Sequence, residues 1–325
     1  MQTMENRAQS QLSAELRAIL RCTKCRSSLE ERPDEYRCVS CGKTFPSVRD
    51  VFRFVEEQNY ASSFGWQWQH FTQADERYEQ QFLAWIAPVT PEFFKDKIVL
   101  EGGCGKGRHT QLAARWGAID VIGVDLSAAV ETAFAATREL PNVHIVQADI
   151  YALPFAAVFD YVFSVGVLHH LPNPRGSFKS LASRVKPGGH ISAWVYGAEN
   201  NEWITRWVNP LRERLTSRMN PQTLLQLSKL PAAMMFAATK LIYGPVNRLI
   251  PGMARQLFYN DYLKTIASFG WREQHTIVFD HLVAPTAFYI SREEFEKWWE
   301  EINAGDVVIG WHNRNSWRGF GRICD

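Results

Sequence analysis

The chain has 325 residues, 46% of them hydrophobic, which is enough for a packed core in two domains or in one large domain carrying an insertion. Its formal net charge of +2 excludes a broad electrostatic footprint for nucleic acid, although a local basic patch stays open. No apolar run reaches membrane-spanning length and the polar stretch Met1 to Ser13 lacks the apolar centre of a signal peptide, so a cytoplasmic protein is expected.

The N-terminal part opens with Leu12, Leu16, Ile19 and Leu20 at helical spacing, predicting a helix over Ser10 to Leu20. Two Cys-x2-Cys pairs follow, Cys22/Cys25 and Cys38/Cys41. Paired knuckles of this kind place four thiolates around one tetrahedral Zn²⁺, whereas a dithiol redox centre needs a single pair. The surrounding residues hold few apolar groups, so Cys22 to Phe54 is read as a zinc ribbon stapled by a structural metal, and residues 1–55 as one N-terminal module.

Residues 56–95 form an aromatic linker. Tyr60, Phe64, Trp66, Trp68 and Phe71 crowd around Gly65, a density that is costly in water. The cluster either docks as a core patch or closes over a ligand as a lid, with Tyr60, Trp66 and Trp68 the residues that would face it.

Lys97 to His109 is the centre of the reading. Ile98, Val99 and Leu100 predict a parallel strand buried on both faces, Glu101 ends it, and Gly103, Gly105 and Gly107 form a turn before a helical segment, Thr110 to Trp116. Only residues without Cβ let a backbone bend sharply and touch a bound molecule, and open α/β sheets bind ligands beyond the carboxyl ends of their strands. The G-x-G-x-G spacing differs from the G-x-G-x-x-G of nicotinamide sites, and an acid before it suits a ligand carrying an amine. Cys104 reads as a packed thiol inside this loop.

A second buried strand, Val121 to Asp125, ends in a carboxylate twenty residues after Gly105, the spacing that brings an acid onto ribose hydroxyls in a βαβ unit. A third, Val143 to Ala148, ends in Asp149-Ile150. A fourth, Phe159 to Val167, runs into Leu168-His169-His170-Leu171-Pro172, and a Lys186-Pro-Gly-Gly-His190 turn leads to a fifth, Ile191 to Tyr196. His169 and His170 lie past a strand end, where an imidazole either accepts a proton from an acceptor or orients the loop.

With Glu101, Gly103, Gly105 and Gly107 as the first motif, followed by the acid-tipped strands, residues 96–196 and 291–323 resemble the class I S-adenosylmethionine (SAM) dependent methyltransferases, in particular the type 11-like group. The resemblance implies a Rossmann-like α/β sheet. It also implies cofactor contacts at Glu101, Gly103, Cys104, Gly105, Gly107, Asp125, Leu126, Asp149, Ile150 and Ser164, with Asp125 on the ribose and Asp149 on the adenine amine. The Phe64-Gly-Trp-Gln-Trp68 run is similar to the lid region of a bacterial methyltransferase group, and the stretch around Asp280 and Tyr289 to its pocket lining.

A closing helix, Ser291 to Ile302 with a Ser291/Glu294 capping box, precedes a hairpin predicted at Val307 to His312 and Trp317 to Ile323. Residues 291–325 thus complete the core, and residues 197–290 are an insertion with helical patterns broken at Pro210, Pro221, Pro231, Pro245 and Pro251. Placed at the carboxyl edge of the sheet, the insertion is expected to be an acceptor-binding cap that brings Trp203, Trp207, Met234, Met235, Tyr243, Tyr259 and Tyr262 to the crevice. Leu230 to Ile242 is too short to span a bilayer, so a buried helix is expected rather than membrane-surface contact.

The reaction implied is methyl transfer to N, O or C of a small-molecule or biosynthetic-intermediate acceptor, with His169, His170 and Tyr289 the catalytic candidates. One rival is an RNA methyltransferase guided by the ribbon, since a ribbon before this fold resembles a group of ribosomal RNA guanine methyltransferases. Another is a non-catalytic SAM-binding or zinc-ribbon adaptor. The oligomeric state is not legible in the sequence.

Overall fold

Short strands bounded by turns open the computed structural model, which describes residues 14–55 and 77–324. After helix α1 (Ala14–Ile19) come β1 (Leu29–Arg32), β2 (Glu35–Cys38), β3 (Thr44–Val48) and β4 (Val51–Arg53), paired antiparallel in sequence order. Tyr60, Trp66 and Trp68, together with the start of the predicted N-terminal helix, lie outside the described residues.

Helix α2 (Arg77–Ile86) leads into the alternating part: β5 (Ile98–Gly102), α3 (Arg108–Arg115), β6 (Asp120–Asp125), α4 (Ala129–Thr137), β7 (Val143–Gln147), β8 (Phe159–Val165), α5 (Pro174–Ala182) and β9 (Val185–Tyr196). β5, β6 and β7 read as near-continuous apolar runs because both faces are covered. The predicted Lys186 to His190 turn is absorbed into β9, where Gly188 at φ +74° lets the strand bend beside an irregular register between Phe159 and Tyr161.

Seven α-helices, with π-helical turns at Ile204–Val208 and Thr239–Tyr243, occupy the insertion: α6 (Asn209–Arg214), α7 (Pro221–Leu227), α8 (Lys229–Ala238), α9 (Gly244–Leu249), α10 (Pro251–Ala254), α11 (Asn260–Ile266) and α12 (Trp271–Val283). Of its five predicted breaker prolines, Pro221, Pro231 and Pro251 fall in the first turn of a helix, where a missing N–H costs no hydrogen bond, whereas Pro210 and Pro245 follow directly on the π-helical turns within longer helices. Helix α13 (Arg292–Glu301) is capped by the Ser291 hydroxyl, which accepts the Glu294 amide at 3.2 Å. The hairpin β10 (Ala304–His312) and β11 (Ser316–Ile323) is longer than its predicted strands.

All eleven described strands form one sheet in the order β1-β2-β3-β4-β7-β6-β5-β8-β9-β11-β10. From β7 onward this is a Rossmann-like mixed sheet, with only the β10–β11 hairpin antiparallel to its neighbours. Strand order reverses at β5, which lies between β6 and β8, so a crevice opens beyond its carboxyl end.

The ribbon is not a separate body. β4 adds to β7 in parallel register, covering what would be an exposed sheet edge. Tyr36, Phe45 and Phe54 share one buried core with Leu100, Val146 and Phe178, and the Arg26 guanidinium donates to the carbonyls of Leu153 and Phe155 at 2.7 Å each. Apolar surface the ribbon lacks internally is thus gained from the sheet. Among the described residues no helix is long and apolar enough to cross a membrane.

Candidate active site

The turn after β5 is held from below by β6. The amides of Gly103 and Cys104 donate to the Val124 carbonyl at 2.7 and 2.9 Å, while Gly105 N–H donates to Asp125 Oδ2 at 2.9 Å. Gly103 sits at φ +82°, and a Cβ there would come within 2.4 Å of Val167, so two independent constraints require glycine. Cys104 is buried, as a packed thiol should be.

Asp125 has its other oxygen on Ser127, accepting the amide at 2.8 Å and the hydroxyl at 2.7 Å. Burial raises its pKa, against the bonds from Ser127 and Gly105 that favour the carboxylate. Each oxygen keeps further acceptor capacity toward the cavity that Asp125 lines. Asp149 caps a short turn by accepting the Tyr151 amide at 2.9 Å and lines the same cavity, as do Leu126 and Ile150.

Glu101 takes a different position from a residue facing the ligand. It is 1% exposed and does not line the cavity; Thr110 donates to Oε2, and His109 Nδ1 lies 3.1 Å from Oε1. Burial pushes its carboxyl up to about 8, against the Thr110 hydrogen bond that favours the charged form. Gly107 and Ser164 also stay behind the wall. Gly107 starts α3 at φ +78° against Ala133, and the Ser164 hydroxyl donates to the Gly102 carbonyl at 2.8 Å. The three residues set the shape of the turn from behind.

The cavity holds about 680 Å³ and joins the glycine turn to the insertion. Its far half is aromatic: Tyr196, Tyr259, Tyr262 and Tyr289, with His170, Asp280 and His281. The Tyr196 ring lies 5.7 Å from Tyr289 and 5.6 Å from His281, stacked on both. The Tyr259 hydroxyl donates to Asn201 and accepts from Asn315 Nδ2 at 3.1 Å, tying the insertion to the closing hairpin.

Of the catalytic candidates, His170 and Tyr289 line the cavity and His169 does not. His170 Nδ1 lies 2.7 Å from the Thr286 carbonyl, an acceptor, so Nδ1 carries the proton and Nε2 is the basic nitrogen. Burial lowers the His170 pKa and outweighs the opposing pull of Asp280, so the ring is neutral near pH 7. His169 is fully buried, its ring 3.8 Å from that of Tyr196.

Among the insertion residues expected at the crevice, Tyr259 and Tyr262 are there, whereas Trp203, Trp207, Met234, Met235 and Tyr243 are not. Trp207 and Met234 are 68% and 67% exposed and face away, because their helices turn a different side to the cleft. Sequence reasoning missed Lys106 and Arg108, which sit between and just after the loop glycines and line the cavity, with Arg108 4.5 Å from the centre of the Tyr78 ring. Their neighbourhood to the glycine motif was the available signal. It also missed Tyr196, whereas His281 belongs to the stretch beside Asp280 that was expected to line the pocket.

At the other end of the sheet, Cys22 Sγ lies 3.6 Å from Cys41 Sγ and Cys25 Sγ 3.4 Å from Cys38 Sγ, all four within 4.8 Å of one another. Thiolates at about 2.3 Å from a tetrahedral Zn²⁺ stand roughly 3.8 Å apart, so this donor set fits the ion.

Residues 100–193 match the family described as methyltransferase domain. A tRNA U34 carboxymethyltransferase of Pseudoalteromonas translucida (strain TAC 125) is 36% identical over 114 residues, 34% of this chain and 35% of that protein. The protein of the same name from Tolumonas auensis is 36% identical over 101 residues, 30% of this chain and 31% of its own. The chain therefore spans about a third of the length of these curated relatives. A solved S-adenosylmethionine dependent methyltransferase from Mesorhizobium loti is similar at 25% identity and a TM-score of 0.30, over 33% of this chain and 54% of that one. Glycine turn, acid-tipped strands and the family match coincide on one segment: residues 100–193 are a methyltransferase domain, built on a Rossmann-like sheet of the class I, S-adenosylmethionine-dependent kind.

Proposed function

We propose that the chain transfers a methyl group from SAM to an acceptor seated under the insertion. The observation that carries this is the single cavity that joins Gly103, Gly105, Asp125 and Asp149 to the ring of Tyr196, Tyr259, Tyr262 and Tyr289. Residues around the glycine turn fit the cofactor. Asp125 would take the ribose hydroxyls and Asp149 the adenine amine, with Leu126 and Ile150 flanking the base. When bound, SAM supplies an electrophilic methyl on a sulfonium.

The chain's own residues then have three tasks. Tyr196, Tyr259, Tyr262 and Tyr289 hold the acceptor's flat or apolar body and keep out water. Neutral His170, basic at Nε2, takes the proton of an N–H or O–H nucleophile. Helices α11 and α12 close the pocket as an acceptor-binding cap, and the ribbon holds Zn²⁺ on Cys22, Cys25, Cys38 and Cys41 as a structural ion.

A small acceptor is the reading that the tyrosine-rich pocket supports. The relatives' names favour tRNA instead, and lend the small-molecule reading nothing; yet the family match ends at residue 193, before the insertion that supplies most of the far half of the pocket. Labelled SAM offered with tRNA, ribosomal RNA and small-molecule fractions of a lysate separates the readings. Label in a small-molecule fraction supports the first, label in tRNA supports the second, and SAM binding without transfer to any fraction leaves an adaptor.

A further inference from the structure

Helix α6 packs on α12 and is pinned there by the Thr216 hydroxyl, which donates to the Leu282 carbonyl at 2.7 Å. From α6 the Arg212 side chain enters the protein and becomes fully buried, yet Nε, Nη1 and Nη2 have no hydrogen-bond partner. Both ring nitrogens of fully buried His169 are in the same condition, and the Tyr289 hydroxyl lies beside the Arg212 guanidinium without closing a well-formed hydrogen bond to it. These groups are neighbours: His169 stacks near Tyr196, Tyr196 stacks on Tyr289 and His281, and Arg212 acts electrostatically on Tyr289, His169, His170 and His281.

A guanidinium out of water without an acceptor costs several kcal/mol, so folded chains bury arginine against carboxylates, carbonyls or ligand anions. Asp280, the acid of this neighbourhood, makes no hydrogen bond to Arg212. The histidines cannot balance the charge, since an imidazole is neutral or cationic and burial holds these neutral. What the cluster lacks is an acceptor of several hydrogen bonds carrying negative charge, and Tyr289 opens it to the cavity.

Resting on the proposed methyl transfer, we propose that Arg212, with Tyr289 and His169, forms a subsite for an anionic oxygen group of the acceptor, a carboxylate or a phosphate. A planar guanidinium binds either group through two parallel N–H···O bonds. The subsite would orient the acceptor from the insertion side, opposite the glycine turn.

The test measures binding of inorganic phosphate and of acetate by calorimetry to the full chain saturated with S-adenosylhomocysteine, for wild type, Arg212→Met, Arg212→Lys and Tyr289→Phe. Saturable binding of one anion to wild type, weakened about tenfold or more in Arg212→Met and less in Arg212→Lys, is expected. The anion that binds names the class. S-Adenosylhomocysteine affinity, measured separately, should not change, and its absence from wild type would instead overturn the methyltransferase reading. No saturable binding of either anion to wild type, or equal binding to Arg212→Met, overturns the subsite. If Arg212→Met does not fold, unchanged anion affinity in both Arg212→Lys and Tyr289→Phe overturns it equally.

Discussion

The Asp125 carboxylate at the tip of β6 accepts the backbone N–H of Gly105 at 2.9 Å, so the acid that faces the cavity also fixes the glycine turn beside it. Asp125→Ala should therefore weaken SAM binding by about 1–3 kcal/mol, from lost hydroxyl partners and a loosened turn together. Asp125→Asn, which can still accept the amide, should lose less. Calorimetric affinities equal to wild type in both folded variants would remove Asp125 from the cofactor site.

Gly103→Ala tests the turn itself. The residue combines φ +82° with a Cβ position 2.4 Å from Val167. Destabilisation on the order of 1–3 kcal/mol is expected in denaturant unfolding. Val167→Ala in the same chain should recover part of it, because only the steric component depends on that side chain.

Glu101 gives a pH signature. Burial raises its folded pKa to about 8, above the ordinary carboxylate range. Between the unfolded and folded pKa values the native state binds more protons than the unfolded one, so this group makes stability fall as pH rises from about 4.5 to 8, by at most about 1.4 kcal/mol per pH unit for one proton. Glu101→Gln should flatten the slope of melting temperature against pH over that window. Parallel curves for the two proteins would show that Glu101 ionises normally.

Protein purified without chelator should contain one zinc per chain, carried by Cys22, Cys25, Cys38 and Cys41. Elemental analysis checks it. Cys38→Ser should lower zinc content and the melting temperature together, while Cys104→Ser should leave the zinc content unchanged.

What the sequence disclosed was whatever chemistry needs at fixed local spacing: knuckle cysteines, loop glycines, and carboxylates at strand ends. These depend on neighbours along the chain or one βαβ unit away. The Asn201–Tyr259–Asn315 network was not legible, because its partners lie 56 or more residues off, and neither were Arg212 and Tyr196, whose neighbours are assembled only when the insertion packs on the sheet. Glu101 was legible as an acid at the right place but not as a buried one, since Thr110 and His109 capture it from α3. Amphipathic helices likewise announced an insertion without saying which side of each would face the cleft, hence the misplacement of Trp207 and Met234.

The parallel pairing of β4 with β7 makes the ribbon and the cleft parts of one cooperative unit. β7 delivers Asp149 to the cavity, and Gln147 at its end pairs with Arg53 of the ribbon, Nη1 to Oε1 at 2.9 Å. If zinc held by the ribbon raises cofactor affinity through β4, then by thermodynamic reciprocity bound cofactor tightens zinc by the same factor. A metal site far from the chemistry would then set how much of the protein is competent to bind SAM, with the sheet itself as the shared lever.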